Sequence, residues 1–382
     1  MLKKKEIIIL LLLSLVPFIF YIQKDYLNGT DSYGYNSFNC NTLMQPHLVD
    51  GLSTPASQFI FRLMPCNFWV PKIVMWIIFF LVLIVFGKIG NLFDLQYGWL
   101  YGLFACLSPM FVTQFWHLEE MTLAYPLIFL SLYFTIKYLK QKQEWMIPCN
   151  NEHNKYYALL CVLIAGLFWK GAIIFLFILG TIFPALIIIV LPLTLWKGQT
   201  IVSQIIVPNV IESLAWYGWL FLFALNFFWF RIPRLYWKTL VPLMILFTVS
   251  LKYTLFVVPF LLIGIAYSLN SARKKQMWVI TIVLVALTGL FSASYNGLDY
   301  PPTKNEIEVI KYAIQEADGN YIVNDWSYGY WIYYYGGKTK YYAGGILPDY
   351  NSVTGIIITK KSEDVQAETL LVGDKLKVWK GT

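Results

Sequence analysis

"VNDWSYGYWIYYYGGKTKYYAGG" occupies Val323–Gly345 and carries seven tyrosines and two tryptophans behind an Asn-Asp pair. Rings with polar tips suit a membrane–water boundary, or a surface that holds a ligand by ring faces and hydroxyls. The rest of the chain shows which setting surrounds them. Of 382 residues, 58% are hydrophobic and 13% charged, with a mean hydropathy of +0.59. That balance excludes an ordinary soluble domain. Several apolar runs are long enough to cross a bilayer as helix. The aromatic segment therefore follows a polytopic α-helical membrane domain.

The net charge of +8 does not point to nucleic acid. Lys and Arg cluster between apolar runs: at the N-terminus and in segments 137–155, 231–238 and 273–275. The positive-inside rule puts these on the cytoplasmic side. The first run, Glu6 to Ile22, follows three lysines and lacks a small-residue cleavage site, so it reads as a retained helix with a cytoplasmic N-terminus.

Alternation then sets the path. Residues 23–68 form a long external loop, Trp69 to Ile89 returns, Trp99 to Phe115 goes out, and Met121 to Leu139 comes back after the short turn "WHLEE". The stretch 156–196 is broken at Lys170-Gly171, Pro184 and Pro192, and three short helices fit its length better than one. Roughly nine to eleven crossings result, so the chain divides into a transmembrane domain, 1–294, and an extracytoplasmic domain, 295–382. In the latter, "NEIEVIKYAIQEA" has helical spacing and stops at Asp318-Gly319. "NYIVN", "TKYYAG", "GIIIT" and "ETLLVG…KLKVW" read as short strands, giving a small α/β domain.

Acids gather on the outer side. Asp31 lies in the first external loop, His117, Glu119 and Glu120 in the second, and Glu212 in a later one, while Lys252 sits at the outer end of a helix hairpin. A carboxylate at the end of a spanning helix is commonly just solvated. A His and two Glu in so short a turn call for more. His117 and Glu119, two apart, can reach one Mn²⁺ or Mg²⁺ through imidazole and carboxylate, with Glu120 beside them and Asp31 joining from another loop. The five cysteines show no metal-binding spacing and read as incidental thiols, though Cys40 and Cys66 share one polar loop in which a disulfide is open to them.

Taken in order, these pieces resemble the GT-C membrane glycosyltransferases, in particular the catalytic subunit of single-subunit archaeal and bacterial oligosaccharyltransferases. That family carries Trp-Trp-Asp-Tyr-Gly, then Tyr-Trp-Ile, a glycine turn and a strand ending in Gly. Here Trp326, Tyr328, Gly329, Tyr330, Trp331 and Ile332, then Gly337 and Gly344-Gly345, match it. Asp31 matches the acid after the first helix, "HLEE" the acidic second loop, "NVIE" with Glu212 a later motif, and Lys252-Tyr253 a basic residue before an aromatic. Three positions differ. Asp325 occupies the family's first position, a Trp there. Ser327 stands where the family has Asp, which implies an altered acceptor, and Lys252 replaces Arg, giving a point charge instead of a fork.

The resemblance implies a donor glycan on a polyprenyl or dolichyl (pyro)phosphate, with membrane lipid and an acceptor protein or glycan as the other partners. It implies a divalent metal, Mn²⁺ or Mg²⁺, held by Asp31, His117, Glu119 and Glu120. Asp31 and Glu212 are then the catalytic acids that orient or activate the acceptor, Lys252 meets the donor phosphate, and Asp325, Trp326, Ser327, Tyr328 and Gly329 hold the acceptor. The physics agrees: a lipid-borne donor arrives in the bilayer plane, and its anionic leaving group needs positive charge. Transfer to asparagine of exported protein, transfer of a single sugar from a polyprenyl phosphate to a glycan, and a non-catalytic binding role all stay open. A transporter fits poorly, since the acids lie outside and no internal repeat is visible.

Overall fold

The computed structural model describes residues 2–22, 27, 54–92, 102, 106, 112, 115–144, 153–169, 171–172, 175–180, 182–183, 304–324, 326–341, 354–362, 365, 367–373 and 376–381. The chain separates into two compact units. One comprises Met1–Gln23, Val74–Phe115 and Glu120–Leu298; the other comprises Lys24–Ile73, Trp116–Glu119 and Asp299–Thr382. The crossings expected between 197 and 291 lie outside the described residues.

The first unit is helical: α1 (Lys4–Ile22), most of α3 (Trp69–Leu92), α4 (Glu120–Glu144), α5 (His153–Phe168) and α6 (Phe175–Leu179). Two of these are long and apolar enough to cross a membrane, α3 with mean hydropathy 2.6 and α4, over Glu120–Gln141, with 1.3. The 24 residues of α3 span about 36 Å. With lipid as solvent, helices associate through ring packing and side-chain hydrogen bonds rather than the hydrophobic effect. Trp76 Nε1 donates to Ser14 Oγ at 3.1 Å, and Phe18 stacks on Trp76, so α1 is held to α3. Ser131 Oγ donates to the Ala158 carbonyl at 2.8 Å, joining α4 to α5. Phe79, Phe115, Tyr125 and Phe129 form a run of ring contacts, Phe115 on Tyr125 edge to face and the other two pairs tilted.

Outward faces are as telling. Ile8, Leu12, Val16 and Ile19 on α1, and Tyr156, Leu160, Leu163 and Leu167 on α5, are exposed at helical spacing. On α3 the exposed stripe is Trp69, Ile73, Ile77 and Leu81. Continuous exposed apolar stripes of this kind suit a lipid environment. The expected break after α5 is present: the helix ends at Phe168, and among the described residues a turn at Gly171-Ala172 precedes α6.

The second unit contains α2 (Pro55–Leu63), the start of α3, and a C-terminal α/β fold: α7 (Lys304–Ala317), β1 (Tyr321–Asn324), α8 (Trp326–Tyr334), β2 (Lys338–Tyr341), β3 (Gly355–Lys360), β4 (Glu368–Val372) and β5 (Leu376–Gly381). The five strands form one sheet in the order β2-β1-β3-β5-β4. β1 runs parallel to β2 and β3, whereas β3–β5 and β5–β4 are antiparallel. Alternation builds the two faces. Val323, Ile357 and Trp379 lie side by side across three strands and are covered by Val365. α7 buries Val309, Ile310, Ala313 and Ala317, a stripe at helical spacing. It ends at Asp318 and Gly319, both at positive φ (45° and 80°), as the Asp-Gly pair predicts.

Two local features differ from the sequence reading. The segment expected to be the first external loop contains a helix, α2, whose start is fixed by a capping box: the Thr54 hydroxyl and the Ser57 backbone and side chain satisfy each other. Cys66 is disulfide-bonded rather than an incidental thiol, with its partner outside the described residues. Cys106 and Cys161 are free.

Candidate active site

The aromatic motif is a helix. β1, α8 and β2 form a β-α-β unit in which α8 is the crossover that two parallel neighbours require. Trp, Tyr and Ile favour strands, but the crossover overrides that local preference. The strand order β2-β1-β3 means that the chain steps one way from β1 and then returns past it, so the order reverses between β1 and β3. In sheets of this kind, ligands bind beyond the carboxyl ends of the strands at such a reversal. The motif begins there: Asn324 ends β1 and Trp326 opens α8. Lys360 and Lys361, both exposed, lie at the carboxyl end of the neighbouring β3.

Buried polar groups fix this corner. Asn324 is fully buried and its Oδ1 accepts from the Thr339 hydroxyl on β2. The Tyr333 hydroxyl donates to the Thr339 carbonyl at 3.4 Å. Thr339 thus ties both the strand before the motif and the far turn of α8. Gly337 completes the packing: a Cβ there would meet Ile314 and Ile332 at 2.7 Å, so only glycine fits.

Of the expected acceptor residues, Trp326 and Ser327 lie in the first turn of α8, their side chains outside the described set, and Asp325 also lies outside it. Gly329 is buried. Tyr328 is buried too, its ring 5.7 Å from that of Trp331. Tyr333 is part of the core at 2% exposure. Tyr334 and Tyr335 remain half-buried, 5.2 Å apart and edge to face, with the Lys311 ammonium 5.3 Å from the Tyr335 ring. Phe68 stacks on Tyr334.

Of the expected metal ligands, His117 Nδ1 and Glu119 Oε1 are 3.8 Å apart and partly buried. Two such donors can share one divalent ion. Among the described residues, however, no group of three or more His, Cys, Asp or Glu side chains is arranged to hold a metal. Asp31, the expected partner from the first loop, lies outside the described residues, as do Glu212 and Lys252. Glu120 is buried and is the first residue of α4, where a carboxylate is favoured by the helix dipole.

One cation was passed over in the sequence. Lys72, in the first turn of α3, is 2% exposed and among the largest fully buried side chains. Lysines are almost never this buried without a partner. In the expected topology it stands at the outer end of a span, where charge bias does not call for a lysine.

No family model matches the chain, and no curated protein matches it by sequence. Solved structures do. The chain superposes on the oligosaccharyltransferase of Archaeoglobus fulgidus, determined in complex with zinc and sulfate, with a TM-score of 0.57 at 12% identity, over 93% of this chain and 68% of that one. It superposes on ArnT of Cupriavidus metallidurans in the apo state with a TM-score of 0.55 at 10% identity, over 97% of each chain. Both are GT-C glycosyltransferases. The chain has a GT-C fold. GT-C proteins are polytopic membrane proteins, in accord with the apolar helices and lipid-facing stripes of the first unit. At these identities the likeness speaks for the GT-C fold, and the chemistry rests on the residues.

Proposed function

We propose that this GT-C chain is a glycosyltransferase of oligosaccharyltransferase type, moving a glycan from a polyprenyl or dolichyl (pyro)phosphate to asparagine of exported protein at the outer membrane surface. The observation that carries the reading is the seating of the aromatic motif. It opens a helix at the carboxyl end of β1, and that helix ends in Tyr334, stacked on Phe68, the residue before the membrane-length α3. A site at that level meets a donor that diffuses within the bilayer. The disulfide at Cys66 supports an extracytoplasmic position for this segment, since disulfides persist in oxidising compartments.

In this reading His117 and Glu119 hold a divalent metal together with Asp31, and Glu120 lies beside them. The metal supplies positive charge to the donor phosphate, to which Lys252 also contributes. Asp31 and Glu212 engage the acceptor amide, a poor nucleophile that gains from carboxylates on its hydrogens. Asp325, Trp326, Ser327, Tyr328 and Gly329 form the acceptor side, with the buried Tyr328 and Gly329 shaping the helix on which the others stand.

A second reading is favoured by one observation: the chain matches ArnT over 97% of both lengths and the oligosaccharyltransferase over 68% of the latter. In that reading a single sugar moves from a polyprenyl phosphate to a lipid-linked or protein-linked glycan.

The test uses membranes containing the parent, Asp31→Ala or Glu212→Ala, given a labelled polyprenyl-linked glycan and an Asn-x-Thr peptide. Labelled peptide from the parent, lost in both variants, is the expected result. Equal transfer by all three removes the proposed site. Transfer to a lipid-linked sugar and never to peptide selects the second reading.

A further inference from the structure

The helices α4 and α5 lie side by side. Ser131 Oγ joins them through the Ala158 carbonyl, and nearer one end Asn154 Nδ2 donates to Gln141 Oε1 at 2.8 Å. Between these bonds the rings of Phe134 and Tyr157 meet, centroids 5.4 Å apart. Lys137 is three residues beyond Phe134, and His153 is four before Tyr157. Helical spacing sets both on the seam that the rings mark, one turn closer to the helix ends. In the other direction Leu130 and Leu160 continue the same two rows. Tyr157 and Leu160 are 51% and 52% exposed. The seam is thus an open furrow, apolar along its length and basic at its mouth.

The surroundings carry the same sign. Lys140 donates to the carbonyl of Leu92, the last residue of α3, and Lys88, one turn earlier, is exposed. A Cβ at Gly87 would meet Leu2 at 3.1 Å, which brings Lys3, Lys4 and Lys5 to this end as well. Among the described side chains there Glu6 is the acid, and it accepts from the Lys3 amide. Charge bias accounts for a basic end of a helical bundle. It does not account for two rings that meet directly beside a lysine and a histidine in an open furrow.

We propose that this furrow binds one anionic phospholipid. Its phosphate is held by Lys137 Nζ and a ring N–H of His153, and one acyl chain lies against Phe134, Tyr157, Leu130 and Leu160. Basic pockets between membrane helices recognise such headgroups. A zwitterionic lipid offers the same chain, but its headgroup brings a cation of its own to Lys137 and His153. Lys155 stands outside the site. Two residues from both His153 and Tyr157, it lies on another side of α5, with its ammonium 5.2 and 5.4 Å from the rings of Tyr156 and Phe183. The bound lipid ties α4 to α5 at their basic end, whatever reaction the protein performs.

The test is native mass spectrometry of the full chain in detergent, offered equal amounts of phosphatidylglycerol and phosphatidylcholine with the same acyl chains. The parent is expected to retain one phosphatidylglycerol severalfold more than phosphatidylcholine. Lys137→Gln combined with His153→Gln is expected to abolish that preference, and Lys137→Arg to keep it. Lys155→Gln, which removes the same charge from the other side of α5, is expected to leave it unchanged. None of these three side chains is buried, so the variants keep the packing of α4 on α5. Equal retention of the two lipids by the parent overturns the proposal. An equal loss in Lys155→Gln also overturns it, because net charge and not the furrow then sets the preference.

Discussion

Phe68 and Tyr334 stack with ring centroids 5.2 Å apart and planes 19° apart. The pair joins the residue that precedes a membrane-length helix to the last residue of the motif helix, within one compact unit. Such pairs contribute beyond their buried area. A double-mutant cycle of Phe68→Ala and Tyr334→Ala, read by denaturant or thermal unfolding in detergent, is expected to give a coupling of about 0.5–1.5 kcal/mol. Strictly additive effects would mean that the stack does not tie the motif to the membrane-proximal segment.

Tyr334 and Tyr335 titrate late. Burial pushes both from the ordinary 10.0 up to about 12, and for Tyr334 the neighbouring Tyr335 adds to the rise. The folded state therefore keeps these protons when the unfolded state has lost them. Their stabilisation is complete below pH 10 and falls as pH climbs towards 12. The unfolding midpoint should drop across that window, and Tyr334→Phe with Tyr335→Phe should flatten the drop. An unchanged slope in the double variant would assign the alkaline loss to other groups.

The proposed metal is tested at His117 Nδ1 and Glu119 Oε1, which lie 3.8 Å apart. His117→Ala and Glu119→Gln are each expected to raise the Mn²⁺ concentration for half-maximal transfer by roughly tenfold or more, without changing expression. The assay is activity after chelation and graded add-back of Mn²⁺ or Mg²⁺. Full activity in strong chelator would argue against a metal at this turn.

The hydrogen bond between Thr339 and Asn324 is buried. Thr339→Val keeps the shape and removes the donor, which should cost about 1–3 kcal/mol of stability. Thr339→Ser should restore most of it. Equal losses in both variants would indicate that the methyl contact, rather than the hydroxyl, holds the strand.

Cys66 should appear in non-reducing peptide maps as a disulfide, with Cys40 as the expected partner because the two share the first external loop. Cys106 and Cys161 should alkylate once the protein is denatured. A freely alkylating Cys66 in the native protein would remove the argument for an oxidising compartment.

Sequence periodicity was enough for α7 and for the strands, because each must alternate or repeat to bury one face: Val309, Ile310 and Ala313 in the helix, Val323, Ile357 and Trp379 in the sheet. It was not enough for α8, where β-favouring rings are overruled by the need to cross between parallel strands. Nor did composition separate Tyr333, which packs inward, from Tyr334, which stands half outside; that depends on which side of α8 meets β2. α2 was missed although Thr54-Pro55 is a legible start, because nine residues carry too few repeats to assert a helix alone. Of the proposed metal residues, His117 and Glu119, two apart in one turn, were bound to be neighbours, whereas no spacing encodes where Asp31, in another loop, stands. Lys72 escaped because charge bias explains lysines by side and not by burial.

The outer strands of the C-terminal sheet are β2 and β4. β2 reads Lys338-Thr339-Lys340-Tyr341, and β4 opens with Glu368 and carries a register shift between Thr369 and Leu371. Charges and irregular pairing at a sheet margin discourage another strand from adding to it. Proteins held in one bilayer meet one another more often than proteins tumbling in solution, so an open sheet margin is tested by neighbours more often. These two margins let such a domain stay solitary in a crowd.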